Sequence, residues 1–182
     1  DISNVKVEPV GFPTREPMLA EGKVDSVTGF SFSSYLNLVR LGVPEEDIST
    51  ILMADHGLKL YGNAVIVNTD YAKTNSDMVK KFLVAIGAGW RDAIKDPKAA
   101  AAALVKRNPA ADAALEQRRL QLAIDANVLT DYVKANGMGG VDSSRFAAAI
   151  EQLSETYEYK AAPNAALYFT DEYLPASGIS LN

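Results

Sequence analysis

The hydrophobic pattern of this chain changes period near Asn75, and that change limits what it can fold into. Before it, apolar residues alternate or run in short blocks. After it, they recur at spacings of three and four. Val5-Lys6-Val7-Glu8-Pro9-Val10 alternates with period two, which predicts a half-buried strand, with Pro9 at an edge or at the strand's end. Thr14 predicts a cap for a short helix over residues 15–20, and Gly22 predicts its stop. Residues 24–30 read as a second strand and 48–54 as a third. Between them residues 31–41 read as a helix, with Tyr35, Leu38 and Val39 on one face. Residues 62–68 are almost continuously apolar, which predicts a fourth strand buried on both faces.

Beyond Asn75-Ser76-Asp77 the pattern is helical. Val79, Phe82, Leu83, Ile86 and Trp90 form one stripe. Asp96-Pro97 predicts a cap with proline at the first helical position, for a helix that ends at Asn108-Pro109. A further helix spans about residues 111–127. The Asn136 to Gly140 turn leads to Asp142, a cap for a helix with Phe146, Ile150, Leu153 and Tyr157 on one side. The expected fold class is therefore α/β, with a small sheet and many C-terminal helices. Four strands are few for so many helices, and apolar helix stripes need a partner surface. Part of a larger protein, or a pairing with a second copy (a homodimer), would supply one.

Composition removes several functions. The 182 residues contain no cysteine and one histidine, His56, so disulfides, thiolate metal sites and a multi-histidine zinc site are excluded within one chain. With 48% hydrophobic residues the chain can bury a core. A net charge of −5 with scattered basic residues argues against a nucleic-acid partner. No phosphate-binding glycine loop, dinucleotide fingerprint or serine-nucleophile elbow is present, so no cofactor is expected. Gly87-Ala88-Gly89 lies inside a helical pattern and reads as close helix packing. His56 reads either as a catalytic imidazole or as a loop imidazole bonded to backbone. The first residues lack the basic start and apolar stretch of a leader.

Four stretches carry a resemblance. Gly22-Lys23-Val24-Asp25-Ser26-Val27-Thr28-Gly29-Phe30 and Tyr61-Gly62-Asn63-Ala64-Val65-Ile66-Val67 are two. The third joins Val79-Lys80-Lys81-Phe82-Leu83, Gly89-Trp90-Arg91-Asp92-Ala93 and Asp96-Pro97-Lys98-Ala99-Ala100. The fourth is Phe169-Thr170-Asp171-Glu172-Tyr173-Leu174-Pro175. In this order they resemble solute-binding proteins of ABC importers of the nitrate, taurine and sulfonate class, which share their domain with thiamine-pyrimidine-synthase-like proteins. The resemblance implies part of a type II periplasmic-binding-protein fold whose N-terminal lobe is largely absent. Residues 1–54 would belong to the second lobe, 55–61 to a hinge crossing, and 62–182 to the C-terminal portion of the first lobe. It also implies a periplasmic protein that hands a small-molecule solute to an inner-membrane permease and is not an enzyme.

In open α/β sheets ligands bind beyond the C-terminal strand ends, which points to Thr28, Gly29, Phe30 and Ser31. Gly29 allows close backbone approach. The Ser31 and Ser33 hydroxyls and the next helix's amides suit an anion such as sulfonate or carboxylate. Phe30 or Phe32 can stack on an aromatic ring. The alternative is that both phenylalanines pack in the core and the serines only cap the helix. By the same resemblance Asp55, His56, Tyr61 and Asn63 line the hinge side; hinge hydrogen bonding for Asp55 and Asn63, and packing for Tyr61, are the plainer roles. Aminosulfonate binders of the family tend to carry Trp-Asp where Phe30-Ser31 stand. Pyrimidine binders tend to carry Glu where Ser33-Ser34 stand. An anionic or aromatic solute remains. The competing functions are an enzyme of the thiamine-pyrimidine-synthase type, against which the missing cysteines count, and an effector-binding regulatory domain, which would need a DNA-reading module.

Overall fold

The computed structural model describes residues 3–58 and 60–181. Asp1, Ile2, Lys59 and Asn182, which the lobe and hinge ranges above include, lie outside them. The chain divides into two compact units, the first ending at Ile51 and the second starting at Leu52.

The first unit is a helix pair. Helix α1 (Phe12–Ala20) starts after Gly11 with Pro13 in its first turn, so Thr14 lies inside the helix and does not cap it. The missing amide of a proline costs nothing at that position. Gly22, at φ 69°, turns the chain away just past its end. Helix α2 (Ser31–Arg40) forms where the sequence predicts it. It buries Ser34, Leu36 and Leu38, and Leu36 is fully enclosed. Half-buried Tyr35 donates its hydroxyl to the Glu45 carboxylate at 2.5 Å, tying α2 to the turn that follows.

The second unit is helical from Thr69. Asn68 accepts from the amides of Asp70 and Tyr71 and so opens α3 (Thr69–Thr74). Helix α4 (Ser76–Lys95) follows, then α5 (Pro97–Arg107), which Asp96 caps through the Ala99 amide at 2.9 Å. Asp112 caps α6 (Ala113–Ala123), which runs into a π-turn over Ile124–Val128. Thr130 caps the short α7 (Asp131–Asn136), and Asp142 caps α8 (Ser143–Thr156). Helix α5 packs chiefly on α6, and α4 on α5. Ala72, Val79, Ala101, Ile124, Ala149, Ile179 and Leu181 are the buried apolar residues. Three of the seven are alanines, which bring helices close but bury little area each.

The α/β expectation is wrong. Among the described residues the chain is helix-dominated and forms no sheet, and the one β-type pairing is an isolated antiparallel bridge between Met138 and Ile179. Among the described residues none of the four strand-like segments pairs with another in a ladder. Residues 5–10 and 62–68 carry no regular secondary structure, 24–30 includes a bend at Asp25, and 48–54 ends in a 3-10 turn over Met53–His56. The expected two-sided burial of residues 62–68 fails outright, since Ile66 is 92% exposed and Val65 53%. Alternation reports a chain able to lie between two faces. A strand also needs a second chain segment to take its amides and carbonyls, and sequence period cannot supply that. The apolar stripe of α4 is likewise only part buried: Val79 is enclosed, whereas Phe82 is 54% exposed.

The two glycines of Gly87-Ala88-Gly89 differ. A Cβ at Gly87 would fall 2.2 Å from Cγ2 of Ile179, so Gly87 seats the C-terminal segment against α4 rather than seating a second helix. Ile179 is 5% exposed and β-branched, so it has little freedom to move aside. A Cβ at Gly89 would meet open space. Gly89→Ala should stabilise the second unit by roughly 0.5–1 kcal/mol through helix propensity. Gly87→Ala should destabilise it by about 1–3 kcal/mol through overpacking, although the propensity change is the same. Urea denaturation of both variants checks the opposite signs.

Candidate functional site

The sequence-selected residues fall into two groups, one in each unit. Thr28, Gly29, Phe30, Ser31 and Ser33 lie at the start of α2. Thr28, Gly29 and Phe30 are exposed, and Ser31 and Ser33 are half-buried. With no sheet present, the strand-end argument for a ligand here no longer applies. The helix terminus remains. Phe30 occupies the capping position and its side chain cannot accept a hydrogen bond, so α2 begins without a side-chain cap. Neither phenylalanine is in the core. Phe30 is 53% exposed and stacks on Phe32, with centroids 5.4 Å apart and an interplanar angle of 19°. A flat apolar face therefore stands beside a helix N-terminus, where backbone amides and the helix dipole favour negative charge.

Asp55, His56, Tyr61 and Asn63 belong to the second unit. Asp55 and His56 are exposed in the 3-10 turn that Gly57, at φ 96°, closes, and Asn63 is exposed outside any helix. Tyr61 is half-buried and committed to packing. Its hydroxyl accepts from the Asp142 amide at 2.8 Å, its ring meets Phe146 edge-on at 6.2 Å, and the Arg145 guanidinium lies 4.4 Å over its face. Arg145 also donates to the Leu60 carbonyl, and Gln152 to that of Gly57. Gly57, Leu60 and Tyr61 are thus strapped along α8. Asp142 anchors this arrangement: hydrogen bonds from the Ser144 hydroxyl first, then from the Arg145 amide, hold its carboxyl below the usual carboxylate range.

Two features escaped the sequence. Glu16 is 4% exposed, and its Oε1 accepts from the Ser34 hydroxyl at 2.6 Å. Nothing in the pattern of α1 marks Glu16 as buried, and Ser34 drew notice only for what it is not. Arg15 stands beside them. The second feature is a shallow cavity of about 500 Å³ between α4 and α5, lined by Gly89, Asp92, Asp96, Ala100 and Arg107 among others. Its walls are mostly glycine and alanine, and none of the residues picked from the sequence lines it. Among the described residues no group of three or more His, Asp or Glu side chains is placed to hold a metal ion. None of their helices is long and apolar enough to cross a membrane.

A family model described as "NMT1/THI5 like" matches residues 1–100, which is more than half of the chain and includes both groups of candidate residues. The chain belongs to the NMT1/THI5-like family. That family includes solute-binding proteins of ABC importers. No curated protein and no solved structure matches the chain.

Proposed function

We propose that this chain is the solute-binding part of an ABC-type importer, which captures a small anionic or aromatic solute and performs no chemistry on it. Family membership carries this reading, because the matched residues include the exposed start of α2. The uncapped helix N-terminus suits a carboxylate or sulfonate, and the Phe30–Phe32 pair suits an aromatic ring. On this reading the chain is the C-terminal portion of a two-lobed periplasmic protein, and Asp55, His56, Tyr61 and Asn63 belong to the hinge side. Closure of two lobes would bury the solute and present the closed form to a permease.

A single wall buries only part of a ligand, so this chain alone should bind weakly, with a dissociation constant on the order of 1 mM. Titration of the ¹⁵N-labelled chain with benzoate and with methanesulfonate checks this. Saturable amide shifts centred on Thr28–Ser33 support the reading. Shifts scattered over the surface, or confined to the groove between α4 and α5, contradict it.

A further inference from the structure

Arg15 and Glu16 follow one another on α1 and meet α2 from the same side. The Glu16 carboxylate, 4% exposed, is held by Ser34 at 2.6 Å and by a long contact to Nη2 of Arg15 at 3.5 Å. A carboxylate that deep anchors α1 to α2 only while it keeps such partners. The Arg15 guanidinium is less well provided for. Among the described residues its Nε, shut away from solvent, finds no acceptor, and its Cζ lies over the Phe12 ring, 4.7 Å from the centroid. Nη2 reaches the Glu16 carboxylate only at the limit of hydrogen bonding. The side chain keeps 19% of its surface open, so an acceptor from outside can still reach its terminal nitrogens.

The position of those nitrogens matters. A Cβ built on Gly29 would fall 3.5 Å from Nη2 of Arg15. The guanidinium therefore borders the Gly29–Phe30 turn, just where α2 begins without a side-chain cap. Glycine lets the backbone come down onto Ser34 and Arg15. One cation with an unmet Nε–H and one helix start without a side-chain cap then share the same corner of the first unit.

The geometry points to Arg15 as the cationic residue of an anion site at Gly29–Ser31. A carboxylate or sulfonate would be shared between the Arg15 terminal nitrogens and the first-turn amides of α2. Arginine suits either group because its planar fork matches their paired oxygens. This rests on the solute-binding reading above and adds the charge that selects the solute. It also accounts for an anion site on a chain of net charge −5, since the attraction is local.

The test follows the Arg15 Nε–H resonance and the Gly29 and Ser31 amides of the ¹⁵N-labelled full chain. Benzoate and methanesulfonate are titrated against sodium chloride at matched ionic strength. The expected result is that side-chain and amide signals move along one saturable curve, and that chloride does not reproduce it. Arg15→Met should weaken binding about tenfold or more, and Arg15→Lys less. If Arg15→Met fails to fold, the Arg15 Nε–H signal of the unmutated chain decides. Amides that saturate while Nε–H stays still, or with unchanged affinity in Arg15→Met, overturn the role of Arg15 and leave the solute reading standing. No saturable shift for either probe, or an equal shift with chloride, overturns both.

Discussion

Gly137→Ala should cost the second unit about 3 kcal/mol or more, the largest loss expected from any single methyl group added to this chain. Gly137 ends α7 at φ 76°, ψ 165°, a conformation essentially reserved for glycine. Strain of about 1–3 kcal/mol is expected there for any other residue. The steric problem is worse. A Cβ would lie 2.5 Å from the Ser177 carbonyl oxygen and 2.9 Å from the Gly178 carbonyl carbon, and backbone atoms cannot rotate away. A Cβ built on Gly178, at φ 68°, would likewise fall 2.5 Å from the Asn136 carbonyl oxygen and 3.1 Å from Gly137, so the two glycines crowd each other. Forcing them apart breaks both hydrogen bonds of the bridge, Met138 amide to Ile179 carbonyl at 2.8 Å and the reverse at 2.9 Å. It also lifts the buried Ile179 and Leu181 from their seats. Urea denaturation measures the loss, and hydrogen exchange at Met138 and Ile179 locates it. A change below about 1 kcal/mol would mean that the bridge contributes little.

Gly29→Ala should be nearly as damaging to the first unit, for a different reason. The backbone at Gly29 is not in the left-handed region, so strain is not the issue. Space is. The added Cβ would sit 1.9 Å from Ser34 Oγ and 2.9 Å from its Cβ. Rotating the hydroxyl away strands the Glu16 carboxylate with a single 3.5 Å contact to Arg15. A buried acceptor left without its partner costs about 1–3 kcal/mol, and more when charged. Leu36 is the fully enclosed side chain of this unit, so little apolar burial stands in reserve. The expected outcome is loss of dispersed amide signals for α1 and α2, with those of α4 to α8 unchanged. Adding Glu16→Gln should recover part of the loss, because a neutral amide tolerates burial better than a stranded charge. No recovery would trace the damage to the collision with the Ser34 Cβ alone.

Ligand binding and stability meet at this corner. Gly29 brings together the serine that holds Glu16, the arginine beside it and the start of α2. A substitution chosen to probe the solute site can therefore unfold its support, and this is why the Arg15 resonance is a cleaner reporter than any change at Gly29.

The helices were largely legible because their signals are local. Asp96 before Pro97, and Asp142 three residues before Arg145, satisfy amides within one turn, and the structure has those bonds. Helices α3 and α7 were missed. They span six residues each, too few to show a period, although Asn68 and Thr130 cap them. At the candidate site the sequence pointed to the α2 terminus and to Tyr61, but Tyr61 is held by Asp142 and Arg145, which lie more than eighty positions away.

By itself, then, the order of residues determined where α4, α5 and α8 start, that these residues allow no thiolate chemistry, and which short segments alternate as strands do. Those properties depend on neighbours within a turn or on residue type alone. Tertiary structure alone decided that the strand-like segments stay unpaired, that Glu16 is buried against Ser34 with Arg15 beside it, and that Gly137 and Gly178 close on each other. Each of these depends on which distant segment arrives within a few ångströms, and hydrogen-bond ladders, buried charges and glycine contacts exist only when that second partner is there.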